Sequence, residues 1–222
     1  MKGRTALITG ASKGIGRAIA EAFRQKGAVL LTPPRAELDL SSNGSIDEYL
    51  RGIAGPVEIL VNNAGINPIG SAEEYSDDDL ISIMQVNLTA PMRLIRGVLP
   101  SMRSGGYGRI VNISSVWSLV AKPRRFVYST AKAAVNGMTR AAAVECAQYG
   151  VLVNAVAPGF VNTELTRRNN SEDAIRVISQ AIPVKRLAEP PEIAEIVSFL
   201  ASAQNTYITG QTIVADGGYT CL

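Results

Sequence analysis

The sequence predicts an α/β protein built as a doubly wound parallel sheet with helices on both faces, three layers in a single domain. Three observations predict it. Short apolar, β-branched runs alternate with stretches of helical periodicity along the whole chain. A glycine-rich turn, Thr9 to Gly16, stands between the first such run and the first helical stretch. No internal repeat, charge block or linker divides the 222 residues, a length suited to one sizeable core.

The elements follow in order. A first strand is expected at Thr5 to Thr9, because Ala6-Leu7-Ile8 reads as a parallel strand buried on both faces. In Thr9-Gly10-Ala11-Ser12-Lys13-Gly14-Ile15-Gly16 the glycines let the chain reverse and let a diphosphate approach the backbone. The helix behind them, Gly14 to Lys26, offers free N–H groups and a positive dipole end. Ile15, Ala18, Ile19, Ala22 and Phe23 give that helix its apolar face. The spacing Gly-x-x-x-Gly-x-Gly departs from the usual dinucleotide fingerprint Gly-x-Gly-x-x-Gly, and an ordinary glycine-rich loop has the same composition.

A second strand is expected at Ala28 to Thr32 and a short one at Leu38 to Leu40. Only seven residues separate Leu31 from Asp39, too few for a strand-helix-strand crossover of about ten or more. The helix after the second strand is therefore missing. Thr32-Pro33-Pro34-Arg35-Ala36-Glu37 is expected to join two adjacent parallel strands along an extended path. Further strands are predicted at Val57 to Val61, Arg109 to Ile113, Val151 to Val156 and Thr212 to Ala215. Helices are predicted at Ser45 to Arg51, Asp77 to Arg103, Phe126 to Gln148, Ser171 to Ala181 and Pro190 to Ala201. Asp77 and Asp78 suit a helix start and Pro190 a first helical turn. In such a sheet ligands bind beyond the strand C-termini at the topological switch point.

Composition narrows the function. With 46% hydrophobic and 18% charged residues the chain is compact and not disordered. A net charge of +3 gives no argument for nucleic acid. No apolar stretch reaches transmembrane length, and Met1-Lys2-Gly3-Arg4 runs directly into the first strand without a signal-peptide core. No membrane association and a cytoplasmic location are expected. Cys146 and Cys221 suggest neither a disulfide framework nor a zinc site, and no metal is expected. The chain has no histidine, which excludes a Ser-His-Asp hydrolase, a Cys-His protease and a His-ligated metal. Acid/base work near neutral pH must fall to a perturbed Tyr, Lys, Cys, Asp or Glu.

Tyr128 and Lys132 supply the candidate. Four residues apart, they share one helix face, so the ammonium can sit beside the hydroxyl. Lowering a tyrosine from about 10 to about 7, where a general acid/base works best, takes about 4 kcal/mol. A nearby cation is the sort of group that supplies it.

These motifs together resemble the short-chain dehydrogenases/reductases, in the single-domain branch typified by 3-oxoacyl-acyl-carrier-protein reductase. The ordered set is the turn Thr9 to Gly16, Asp39-Leu40, Asn62-Asn63-Ala64-Gly65, Asn87, Ser115, Tyr128 with Lys132, and Pro158-Gly159 followed by Thr163. The resemblance spans nearly the whole chain and implies a Rossmann-type fold and an NAD(P)-dependent oxidoreductase acting on a ketone or secondary alcohol. It also implies catalytic roles for Asn87, Ser115, Tyr128 and Lys132. Tyr128 would give its proton to the developing alkoxide, with Ser115 bonded to the same oxygen. Lys132 would hold the nicotinamide ribose and lower the tyrosine pKa, and the main chain of Asn87 would position a relay water. Ser114 competes with Ser115, one residue out of register.

Cofactor contacts implied by the resemblance fall on Gly10, Ser12, Lys13, Gly14, Ile15, Gly16, Arg35, Asp39, Leu40, Asn63, Ala64, Gly65, Tyr128, Lys132, Pro158, Gly159, Val161 and Thr163. An acid at the end of the second strand would bind a ribose 2′-hydroxyl. The chain has Thr32-Pro33 there, then Arg35, with Lys13 in the turn, which favours NADP over NAD. Glu37 dissents if it faces the ribose, and both cations are also compatible with simple surface solvation. Lys122, Arg124, Arg125, Arg167 and Arg168 flank the expected substrate region and favour an anionic or carrier-bound substrate if they line it. Otherwise they form a solvated face, and Trp117 is either pocket wall or core. A nucleotide-sugar epimerase or dehydratase, or a non-enzymatic dinucleotide sensor, are the competing functions. The first normally carries a larger C-terminal substrate domain, and the second would be expected to lack Tyr128 or Lys132. A homo-dimer or homo-tetramer is expected by analogy.

Overall fold

The computed structural model describes residues 1–222. Its strands are β1 (Thr5–Ile8), β2 (Val29–Leu31), β3 (Ile59–Asn62), β4 (Gly108–Ile113), β5 (Val151–Pro158) and β6 (Thr212–Ala215). They form one sheet in the order β2-β1-β3-β4-β5-β6, and every pairing is parallel. The α-helices are α1 (Gly14–Gln25), α2 (Asn43–Gly52), α3 (Asp77–Met84), α4 (Ala90–Ser104), α5 (Phe126–Cys146), α6 (Glu164–Asn169), α7 (Glu172–Ala181) and α8 (Pro190–Leu200). Strands β3, β4 and β5 are buried along their entire length. Both faces of such strands are covered, which is why they are nearly continuous Val, Ile and Leu runs.

Side chains alternate between the two faces of each strand, and the two faces carry separate cores. On one, Ile19 and Phe23 of α1 and Ile193 and Val197 of α8 pack on Ile8, Val61 and Val111. On the other, Ile46 of α2, Leu94 and Val98 of α4 and Ala143 of α5 pack on Leu7, Leu60 and Ile110. The doubly wound, three-layer sheet is as expected. Its switch point lies at the C-terminal ends of β1 and β3, where the strand order reverses.

The segment after β2 differs from expectation. No helix follows β2 directly, as the short link requires, but Leu38 to Leu40 form no strand either. The amides of Glu37 and Leu38 both donate to the Pro34 carbonyl, at 3.0 and 3.1 Å, closing a turn. Pro33 and Pro34 have no N–H to give a ladder, and Leu38 and Leu40 are buried in the second core instead. The chain then enters α2, whose first turn is capped by the Ser42 hydroxyl accepting from the Ser45 amide. The three-residue β2 is thus the edge of the sheet.

The helix expected from Asp77 to Arg103 is divided. Ser76 and Asp79 cap its start reciprocally, but a π-helical turn at Gln85–Thr89 separates α3 from α4. Such turns occur frequently at functional sites, and this one contains Asn87. The short helix α6, capped by Thr163, was not predicted separately from the region around it.

Phe23 is fully buried between α1 and the sheet. Phe23→Ala should cost about 3–5 kcal/mol and lower the melting temperature by roughly 10 °C. An unchanged melting curve would contradict this packing.

Candidate functional site

The site begins at the joint between β1 and β3. The Thr9 hydroxyl accepts from the amides of Asn63 and Ala64, both at 3.1 Å. The Asn63 side-chain amide in turn donates to the carbonyls of Thr9 and Gly10 at 2.9 and 3.1 Å. Helix α1 enters this joint so closely that a Cβ on Gly16 would lie 2.2 Å from the Gly10 oxygen and 2.4 Å from the Asn63 amide nitrogen. Gly10 itself has φ +67°, the left-handed region that favours glycine. A glycine is therefore a steric requirement at both positions.

Two cavities meet at this joint. One, of ≈350 Å³, is walled by the glycine turn, Asn63 to Asn67, Ile113 to Ser115, Trp117, Arg125, Tyr128, Lys132 and Pro158 to Val161, with Thr163 beyond. The other, of ≈500 Å³, runs between α1 and the turn after β2, past Arg35, Asp39 and Leu40. Gly10, Ser12, Ala64, Gly65 and Ile66 belong to both walls. The residues expected to contact a cofactor therefore all line one two-lobed cleft, including Lys13, Gly14 and Ile15.

Three of the four expected catalytic residues share the first cavity. Ser115 follows β4 and is buried, its hydroxyl accepting from the Trp117 amide at 3.2 Å. Ser114 is occupied otherwise: it donates to Asn136 at 2.7 Å and lies 3.3 Å from the Lys132 carbonyl. Tyr128 and Lys132 lie on α5, with the Lys132 amine 5.7 Å from the Tyr128 ring centroid. That amine donates to the Ile113 carbonyl at 2.7 Å, and burial pushes its pKa down to about 8. It keeps further N–H donors for another partner. Asn87 stands off the wall. Its side chain donates to the Ile66 carbonyl at 2.8 Å and accepts from the Ile66 amide at 3.0 Å, so it fixes the loop that forms the floor shared by both lobes.

Burial pushes the Tyr128 hydroxyl above its ordinary pKa, and the Ser115 hydroxyl and then the Arg125 charge draw it the other way. The Lys132 amine is turned to the Ile113 carbonyl, and its own charged form is disfavoured by burial.

Charge is distributed selectively. Lys13 pairs with Glu164 at 3.3 Å and Arg35 with Asp39 at 3.5 Å. The Asp39 carboxylate also accepts from the Ser41 amide and hydroxyl, which hold it below the usual carboxylate range. Glu37 does not line the cleft and lies near Tyr49, whose hydroxyl is pushed up by burial and then by the Glu37 charge. Of the five cations flanking the expected substrate region, only Arg125 reaches the cavity wall. Arg124 pairs with Glu74 at 3.1 Å, Arg167 donates to Asn162 at 2.9 Å, and Lys122 sits 5.7 Å from the Phe160 ring centroid. Trp117 is both wall and packing, stacking edge-on with Phe160 and Tyr219.

The sequence reading missed Arg17, Glu21 and Arg24, which line the second lobe. Their signal was present: with Lys13 they recur at i, i+4, i+8 and i+11 along one face of α1. Arg24 pairs with Glu21 at 2.6 Å, and Arg17 has no acidic partner. Asn67, beside Arg125 in the first lobe, was also missed.

Comparison with known proteins agrees with this geometry. The family model described as enoyl-(acyl carrier protein) reductase, of the short-chain alcohol dehydrogenases, matches residues 32–220. A 3-oxoacyl-[acyl-carrier-protein] reductase from Vibrio cholerae is 38% identical, with 98% of each chain covered. The chain belongs to the short-chain dehydrogenase/reductase family. It is an oxidoreductase of a family that binds NAD(P). Within that family, the oxidoreductase UcpA of Escherichia coli K12 is 38% identical over 99% of this chain and 95% of its own. A structure from Beutenbergia cavernae, provisionally named an NAD(P)-dependent gluconate 5-dehydrogenase and holding NADP at low occupancy, superposes with a TM-score of 0.96. It is 35% identical, covering 100% of this chain and 98% of its own. No helix of this short-chain dehydrogenase/reductase is long and apolar enough to cross a membrane.

Two outcomes follow from the site. Gly16→Ala should destabilise by about 1–3 kcal/mol through overpacking, read as a lower urea midpoint. Lys132 has its folded pKa depressed from 10.5 to about 8, so the unfolded chain binds more protons between these values and wild-type stability rises with pH across that window. Relative to Lys132→Met, wild type should gain stability from pH 8 to 10 in urea titrations. A flat difference would show that the amine is not buried as described.

Proposed function

We propose that residues 1–222 act as one dinucleotide-binding catalytic domain, an NADP-preferring reductase that interconverts a ketone and a secondary alcohol. The observation that carries this reading is the shared cavity: Ser115, Tyr128 and Lys132 stand on the wall that the glycine turn completes. The residues fit the cofactor. The cleft has two lobes joined at a glycine turn, and the buried Lys132 amine has one protein acceptor and donors to spare.

Gly10, Ser12, Gly14, Ile15 and Gly16 would hold the diphosphate, and Asp39 and Leu40 the adenine. Lys132 would hold the nicotinamide ribose. Pro158, Gly159, Val161 and Thr163 would hold the nicotinamide. When bound, NADPH supplies the hydride. Tyr128 gives its proton to the oxygen of the carbonyl being reduced, and Ser115 donates a hydrogen bond to that same oxygen as charge develops there. Asn87 positions the Ile66 loop. Catalytic use of Tyr128 requires its raised pKa to fall, and the cation closest to it in effect is Arg125.

Support for NADP comes from the second lobe. Both acids on its wall, Glu21 and Asp39, are engaged by protein donors, whereas Arg17 has no acidic partner. A 3-oxoacyl thioester or another small carbonyl compound is the proposed substrate class, following the Vibrio relative named above. A cytoplasmic homo-dimer or homo-tetramer completes the proposal.

Titration with NADPH and NADH, followed by nicotinamide fluorescence, should give tighter binding of NADPH, weakened several-fold by Arg17→Ala or Arg35→Ala. A preference for NADH would reverse the cofactor assignment. Tyr128→Phe should abolish turnover and leave cofactor affinity within a few-fold. Full activity in that variant would refute the proton-transfer role.

A further inference from the structure

The first lobe contains one cation that no acid of the chain neutralises and that has no assigned cofactor contact. Its wall carries four charged residues: Lys13, Arg125, Lys132 and Glu164. Lys13 and Glu164 neutralise each other, and Lys132 is assigned to the cofactor ribose. Arg125 remains. It forms no ion pair, its Nε is buried without any hydrogen-bond partner, and its single side-chain hydrogen bond is a 3.4 Å donation to the Asn67 side-chain oxygen. Burial lowers its pKa, with only the Tyr128 and Tyr75 hydroxyls opposing. A half-buried guanidinium left this way is costly unless an anion meets it.

The backbone places this side chain deliberately. Arg124 takes φ +65°, a left-handed conformation that costs a non-glycine residue about 1–3 kcal/mol and is often associated with function. Across that reversal the two arginines diverge, Arg124 out to Glu74 and Arg125 into the cavity. The Arg125 backbone is pinned by a bridge to Gly70, and its carbonyl accepts from the Ser129 amide at 2.8 Å at the start of α5. The side chain therefore stands beside Tyr128 on a fixed mount.

We propose that Arg125 is a specificity-determining residue that binds a carboxylate on the substrate, with the Asn67 amide as the second donor, so that the enzyme acts on free oxo acids and their hydroxy-acid products. This rests on the oxidoreductase reading above and sharpens its substrate class. A guanidinium presents a planar fork of donors that matches a carboxylate bidentately. The carboxylate is a spectator: the ketone carbon gains hydride from NADPH, the oxygen gains the Tyr128 proton, and NADP⁺ leaves. A carrier thioester carries no carboxylate at this end and would leave Arg125 unmatched.

The test measures kcat/KM with NADPH for small oxo acids against their own methyl esters, in wild type, Arg125→Gln and Arg125→Lys. Comparing acid with ester cancels any effect of the substitution on Tyr128. Wild type should favour the acid at least tenfold, Arg125→Gln should bring the ratio near one, and Arg125→Lys, which keeps charge but loses the fork, should lie between. Thermal shifts of the NADPH-loaded proteins by the same acids give a readout independent of turnover and should vanish in Arg125→Gln. Equal use of acid and ester, a preference that survives in Arg125→Gln, or selection of a phosphorylated ketone over the oxo acids would overturn the assignment while leaving the reductase reading intact. Absence of turnover of any ketone or alcohol with either cofactor would instead refute the reductase reading. In that case an Arg125-dependent thermal shift would still support carboxylate binding, and its absence would overturn that too.

Discussion

The hold of Asn63 on the carbonyls of Thr9 and Gly10, answered by the hold of Thr9 on the Asn63 and Ala64 amides, fastens the ends of β1 and β3 where the strand order reverses. A parallel sheet opens a crevice at such a point, and without a tie its two lips could spread. Here four hydrogen bonds set the crevice width, and Gly16 brings α1 against it with no room for a side chain. The floor continues through Ile66, gripped at both its amide and carbonyl by Asn87. The two lobes of the cleft are thus one construction, with the backbone of β1, β3 and the π-helical turn held in common.

Buried polarity extends the same principle deeper into the sheet. Asn62 of β3 donates to Asn112 of β4 at 2.8 Å, and Asn112 donates to Thr139 of α5 at 2.9 Å. Such bonds are directional, and low dielectric surroundings strengthen them. They lock the strand ends to the helix that carries Tyr128 and Lys132, so the reacting side chains are referenced to the sheet and not to a loop.

Much of this was legible in the sequence, for identifiable reasons. Continuous apolar runs mark strands covered on both faces, so β3, β4 and β5 could be placed from Ile, Val and Leu alone. The glycine turn could be read because close approach leaves few residue types able to serve. Leu38 to Leu40 misled because two buried leucines separated by one residue fit a strand face and a turn anchored in the core equally well. The division of the long helix at Asn87 left no mark in periodicity, since a π-turn adds a single residue to one turn. Among the arginines, sequence proximity to Tyr128 did not tell Arg125 from Arg124. The left-handed backbone at Arg124, which separates them, is a conformation that arginine composition does not announce.

The short link after β2 has one further consequence. Dispensing with an outer strand leaves β2 with a bare row of backbone groups, the kind of template on which chains can stack into aggregates. The exposure is limited by design of length: β2 has three residues, and Pro33 and Pro34 follow almost at once. A second chain aligning here would run out of donors within a few residues. The chain therefore shortens its sheet without acquiring a sticky border, and the prolines that end the strand guard that edge against strand-to-strand stacking.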